Sequence, residues 1–592
     1  MENETSPSEY EILSESEIYS HDHLPLAAAY CRKLGLVELI DAMAPTRMDL
    51  RPGLAVQAMV LDTLSGRTPL YKLEDFLAER DVELLLGEDV SPRLFNDNNL
   101  ARSLDVIFEA GSSNILTEIG ARATMAFGLD PSTISYDTTS TSVWGDYPED
   151  EDGQPPPGPH VTYGHSKDHR PDLKQFVTEL LCVERGVPIF GGTLDGNSSD
   201  KTSNNRLLTR VGGIMAKHGL GPGAFVYVAD SAMVTERNLK AIGEKNRFVT
   251  RLPASYSACS KLIAQAVEAD EWTELGRLLE TPGSVKRPGA SYKIFESSAE
   301  LHGVEYRAVV VHSDSHDKRR VKKLEKALAK SEKELKSRLS KVPDIYHCEA
   351  DAREAARRIE KMSGPLHRVK TNVRSFETRA PGRPPKNGPP PTKIKYEVLR
   401  EIDEDSAAVE RLKAEAGCFA LLSNVPKNDE EASADESASA DEDALTGEEL
   451  LKVYKGQYGV ESGFAFLKDP LVVNDIFLKK PSRIDALGMI LVIALLVWRL
   501  MERSLRAWVE NTGKTLPGLD RKRTSRPTTF MITTMMRGVK ILMTKEKRRI
   551  LVRGPTERQK ELLKALGLDQ SAYTNRRCRC DPNIRQKTGS KK

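Results

Sequence analysis

The stretch ISYDTTSTSVW, Ile134–Trp144, decides the fold. Its β-branched residues, bounded by turn formers, predict a strand. One carboxylate, Asp137, stands in mid-strand among Thr and Ser, where burial without a partner would be costly.

Working outward, a Pro/Gly/acidic loop, PEDEDGQPPPGP, follows the strand. VTYGHS, QFVTELLCVE and PIFGGTL then read as three strand-like runs. Lys201 to His218 has helical spacing, FVYVAD reads as a buried strand ending at Asp230, VTERNLKAIGEK as a helix and FVTRL as a further strand. Strands first, then helix and strand in alternation, predict a mixed α/β sheet over residues 129–255. Upstream, LPLAAAYCRKLGLVELIDAM, GLAVQAMVLDTLSG and LARSLDVIFEAG carry apolar residues at helical spacing. Residues 21–128 are therefore expected to form an all-α module, to which the family resemblance given below assigns DNA binding, behind an acidic, loose tail at 1–20.

Beyond Pro253 the α/β rhythm is lost, and residues 256–417 read as an insertion domain. Asp314 to Met362 is highly charged with sparse leucines, which suggests a helical hairpin or short coiled coil. APGRPPKNGPPPTK is a proline-rich linker. Its Gly382-Arg383-Pro384 also resembles an AT-hook core, which would lay Arg383 in a minor groove. CFALLSN returns to the sheet as a core strand at 418–427, and residues 428–445 are acidic low-complexity sequence. Thr446 and Glu449 have capping-box spacing. A helix and a following buried helix complete the core at 446–510, before a basic region at 511–592.

A chain of 592 residues with 39% apolar and 29% charged residues exceeds one compact core. Seven scattered cysteines fit a reducing cytosol rather than a disulfide scaffold. Cys578 and Cys580 have no second pair nearby to complete a zinc knuckle. No N-terminal apolar segment resembles a signal peptide. ALGMILVIALLVW, Ala486–Trp498, is shorter than the roughly 20 residues that span a bilayer, so a buried helix is expected and no membrane. The formal net charge of +1 conceals an asymmetry: from Asn511 onward 22 Lys and Arg face 6 Asp and Glu. RKRTSRP, with Arg521, Lys522 and Arg523, contributes strongly to that excess, and such a surface suits a polyanion.

Three carboxylates are the candidates for chemistry. Asp137 is one, and Asp230, at the C-terminal end of a central strand, is the second. Carboxylates at strand ends of an α/β sheet are where hard-cation sites are built. Taken singly, each has a blander reading that outweighs a catalytic one: Asp137 as a turn-facing polar residue and Asp230 as a helix N-cap. The third is Glu461 in YKGQYGVESGFAFLKDP, Tyr454–Pro470. On one helix Tyr454, Gln457, Glu461 and Lys468 would share a line, with Pro470 as the stop. The alternative is a wet helix face, and Gly456, Gly459 and Gly463 weaken the helix. His165 and His169 flank Asp168 at a spacing that suggests zinc, against which Pro171 and the strand context argue. Asp195 and Asp200 read as turn and N-cap residues, either of which would replace a catalytic Asp if the register differed.

Taken in order, ISYDTTS, YGHSKDHRPDLKQFV, GNSSD, YVADSAMVT, FVTRLP and YKGQYGVESGFAFLKDP resemble the DDE transposases of bacterial insertion sequences, and more narrowly the IS-four superfamily. The resemblance implies a ribonuclease-H-like mixed sheet split by an insertion domain. Asp137, Asp230 and Glu461 match the catalytic, metal-binding positions, and Tyr454 and Lys468 the flanking ones. Gln457 stands where that superfamily's third motif has Arg, so a bidentate cationic grip on phosphate is lost there. The implied cofactor is Mg²⁺ (or Mn²⁺), two ions, and the implied partners are double-stranded DNA, as terminal inverted repeats and target, and a second copy in a homodimer. The implied setting is the bacterial cytoplasm and nucleoid. Rival functions are a non-catalytic DNA-binding protein derived from a transposase and a plain metal-dependent nuclease.

Overall fold

The computed structural model describes residues 16–148, 156–184, 186–243, 246–278, 289–379, 392–428, 444–469, 478–519 and 522–581. Arg383, Arg521, Pro470, nearly all of the acidic segment at 428–445 and most of the N-terminal tail lie outside them. The chain forms two compact units, one of residues 1–250 with 450–592, the other of 251–449.

In the first unit five strands lie in a mixed sheet: β1 (Thr133–Val143), β2 (Lys174–Val183), β3 (Val187–Leu194), β4 (Val226–Ala229) and β5 (Arg247–Arg251). Their order is β3-β2-β1-β4-β5. β1 is antiparallel to β2 and β2 to β3, whereas β1–β4 and β4–β5 are parallel. The parallel strands need crossovers, which the helices Asp200–Lys217 and Glu236–Ile242 flank. VTYGHS, expected as a strand, contributes only an isolated bridge from Thr162 to Gln175. Gly164 and Gly196 pack there too closely for any side chain: a Cβ at Gly164 would stand 2.0 Å from the Gly196 carbonyl oxygen.

The N-terminal helices from Leu24–Leu34 to Ser112–Phe127 form the expected all-α module. Against it packs the helix Pro481–Thr512, whose apolar residues are largely buried. Arg483 anchors this helix to Asp105 through two bonds of 2.7 Å, and Arg503 donates to Glu184 and to the Phe127 carbonyl. The basic C-terminal region folds into the same unit. Strand Glu17–Tyr19 pairs with Ile541–Met543, and the buried Arg549 guanidinium binds Asp81 and Glu83.

The second unit departs from the expectation that the strand rhythm ceases beyond Pro253. Thr273–Arg277, Ser291–Leu301 and Val304–Ser313 are antiparallel strands, the last two joined at His302 and Gly303, both at positive φ. His-Gly between runs of β-forming residues is a hairpin turn signal. Cys418–Ser423 pairs with Val304–Ser313 and groups with this unit. The charged segment forms helices Asp314–Leu339 and Glu349–Glu360. Leu335, Leu339, Ala352 and Ile359 of these helices pack on Val369 and Val398 of a long ribbon, His367–Arg379 with Thr392–Glu404. That ribbon flanks the proline-rich segment and was not expected from the sequence. The capping box forms: Thr446 N–H donates to Glu449 and Glu449 N–H to Thr446 Oγ1.

Candidate active site

The register of the two parallel strands brings the first two carboxylates level. Ser135 pairs with Val228, the last pair of this register; carried two residues on, it sets Asp137 level with Asp230, which directly follows β4 and whose charge acts on Asp137. Adjacent strands lie about 4.8 Å apart, and level residues of parallel strands point to the same face. Asp137 Oδ1 accepts the Thr138 N–H at 2.7 Å. Asp230 caps the short turn Ser231–Met233 through the Ala232 N–H, while its own carbonyl accepts from Thr250 Oγ1. The helix that follows has Thr235 as its N-cap, so Asp230 is not needed there.

Behind Asp137 the opposite face is closed by a polar-aromatic layer. Tyr136 donates to Glu179 and Tyr227 to Asn204, each at 2.9 Å, with the two rings stacked. Helix Asp200–Lys217 covers this face and carries Asp200 to the middle of β1, where Thr138 Oγ1 donates to it at 2.6 Å. Ser199 is that helix's N-cap. Asp195 accepts from the His160 N–H, as the turn reading expects.

Glu461 comes from the other side. The expected single helix is two, Gly447–Lys455 and Tyr458–Leu467, broken at Gly456–Gln457. Tyr454, half-buried, lies in the last turn of one, and Gln457, buried, immediately precedes the other. Helix Tyr458–Leu467 lies on the Asp137 face: a Cβ on Gly463 would meet Leu180, which pairs across the sheet with Asp137. Two contacts fix its position. Gly186, at φ +89°, leaves room for the Gly459 carbonyl, 2.3 Å from where a Cβ would stand. Arg499 of the long helix donates to Ser462 Oγ at 2.6 Å and faces Glu502. Glu461 itself is exposed.

The loop YGHSKDHRP joins these parts. The Lys167 N–H donates to Ser140 Oγ, and its ammonium donates to the Thr138 carbonyl at 2.6 Å. The same ammonium faces Asp200 at 3.3 Å and Asp137 at 3.8 Å. One residue on, Asp168 pairs with Lys468 at 2.6 Å. His165 and His169 are exposed on this loop rather than on a helix. The sequence motif contains Lys167 without marking it, because a lone loop lysine carries no distance information.

Electrostatics follow from burial. Desolvation pushes the Asp137 carboxyl up to about 6, opposed by Lys167 and the Thr138 N–H, and reinforced by Asp230 and Asp200. Asp230 is raised by burial first and then by Asp200. The donors are carboxylate oxygens, the type a hard divalent cation prefers, and the raised carboxyls mark a cluster short of positive charge. Among the described residues no three His, Cys, Asp or Glu side chains are arranged to hold a metal ion as they stand. The cation at these carboxylates is the Lys167 ammonium.

Of the residues assigned to DNA, Lys468 is paired with Asp168 and Lys522 is exposed. Arg523 binds Glu561 and Thr515. Residues 16–121 match the family model described as a domain of unknown function, DUF4277, a domain found in transposase-like proteins. No curated protein matches the chain.

Proposed function

We propose that this chain is a DDE transposase that cleaves DNA at insertion-sequence ends and transfers the freed strand into target DNA. The observation that carries this reading is the juxtaposition of Asp137 and Asp230, level on adjacent parallel strands, with the Glu461 helix on the same face. The strand order β3-β2-β1-β4-β5 agrees with the ribonuclease-H-like core that the motif resemblance implies. The N-terminal match to a domain found in transposase-like proteins supports the same reading.

In this reading Asp137, Asp230 and Glu461 would hold two Mg²⁺ or Mn²⁺ ions, which would supply an activated water and charge stabilisation at the leaving 3′ oxygen. The chain's own part is positioning. The sheet fixes the two aspartates, and Arg499 and Gly186 fix the helix that presents Glu461. Lys468 and the exposed Lys522 lie among the residues proposed for phosphate contact, and a second copy would supply the partner site for the other DNA end.

The test is cleavage of a DNA end in Mg²⁺ by Asp137→Asn, Asp230→Asn and Glu461→Gln. Each should lose cleavage by at least about a thousandfold, as loss of a metal ligand implies, with end binding largely retained. Cleavage persisting in all three would overturn the assignment. Strand-transfer product from a supplied 3′-OH end separates a transposase from a plain nuclease.

A further inference from the structure

Lys167 has no role in the proposed chemistry, yet its placement is highly determined. Its backbone N–H is held by Ser140 Oγ at 2.9 Å, and its ammonium donates to the Thr138 carbonyl. The charge thus arrives between Asp137 and Asp200, with Asp230 beside Asp137. A surface pair would place its lysine with fewer constraints; this side chain is only 34% exposed and bridges the middle of a strand and the start of a helix. Three close carboxylates repel one another, and one ammonium offsets part of that repulsion.

We propose that Lys167 is a built-in counter-cation, holding the carboxylate cluster together until a divalent ion binds and displaces it. This rests on the reading of Asp137 and Asp230 as metal ligands. A divalent ion and an ammonium compete for the same carboxylates, because like charges a few ångströms apart repel. Ion binding therefore swings the ammonium outward, to where a phosphate of bound DNA could take it. Lys167 is a positioning residue for the cluster in the free protein, and its exchange couples ion entry to a new cation at the site's rim.

The experiment uses the full chain and Mn²⁺ alone, without DNA. Calorimetric titration compares wild type, Lys167→Met, Lys167→Arg and Asp137→Asn. Lys167→Met should bind Mn²⁺ about tenfold more tightly, since its competitor is gone, and its melting temperature in chelator should fall below wild type and recover in Mn²⁺. Lys167→Arg should bind no more tightly than wild type. A second readout needs no variant: acylation of Lys167 in the wild type, followed by mass spectrometry, should speed up several-fold when Mn²⁺ is added. Unchanged or weaker Mn²⁺ binding by Lys167→Met, or unchanged acylation, would overturn the displacement while leaving the metal site standing. Mn²⁺ binding that Asp137→Asn leaves intact would overturn both.

Discussion

Lys468 Nζ lies 2.6 Å from Asp168 Oδ1, and Asp168 is the neighbour of Lys167, whose ammonium faces Asp137 and Asp200. The YGHSKDHRP loop therefore ties the segment after the Glu461 helix to the strand carboxylates. Both partners are roughly one-third exposed, so the pair contributes little to global stability, about 0–1 kcal/mol. Its expected role is alignment. Lys468→Ala and Asp168→Asn should each shift urea unfolding within that range but lower cleavage by about tenfold or more. Equal loss in the double variant, measured as a double-mutant cycle, would show that the two act as one.

Gly186 tests the seat of the Glu461 helix. Its φ of +89° and the Gly459 carbonyl, 2.3 Å from an added Cβ, both oppose any side chain. Gly186→Ala should cost at least about 1–3 kcal/mol in chemical denaturation. Cleavage should fall further than DNA binding, since the displaced element carries Glu461.

Arg549 shows that the basic C-terminal region is structural as well as charged. Its side chain is 8% exposed and binds Asp81, 2% exposed, and Glu83. Arg549→Met leaves the buried Asp81 without its cation, while Glu83 keeps Arg576, at a cost of about 3–5 kcal/mol. Equilibrium unfolding in urea measures it, and high salt should change the result little because the pair is buried.

Asp62 gives a pH signature in the N-terminal module. Burial raises its carboxyl to about 6, although Thr68 donates to it through its N–H and hydroxyl. A folded pKa above the unfolded value, near 3.8, means this stability is fully present below pH 4 and is lost as pH rises through 6. Wild type should therefore lose stability relative to Asp62→Asn across that window, by on the order of 2 kcal/mol. Unfolding midpoints of both proteins at pH 4 and pH 7 check the sign.

Much of the first unit was legible because its elements announce themselves locally. ISYDTTSTSVW and FVYVAD are strands by composition, and in the second unit Thr446 and Glu449 likewise form the capping box that their spacing predicts. The break at Gly456–Gln457 was legible only as weakness: the glycines lowered helix propensity without saying where the helix would part. The second unit was largely missed, because SYKIFESSAEL and VEYRAVVVHS mix charge with β-formers and the ribbon's strands pair across the proline-rich segment.

By itself the sequence determined which residue types could do chemistry and on which elements they ride, since period and capping are local properties of the chain. It placed Asp137 and Asp230 on strands and Glu461 on a helix. Only the tertiary structure decided their company. Register between β1 and β4 set Asp137 level with Asp230, and a helix from the opposite face brought in Asp200. A loop lysine became the cluster's cation. Those relationships depend on strand order and burial across hundreds of residues, and no local pattern encodes a distance of that kind.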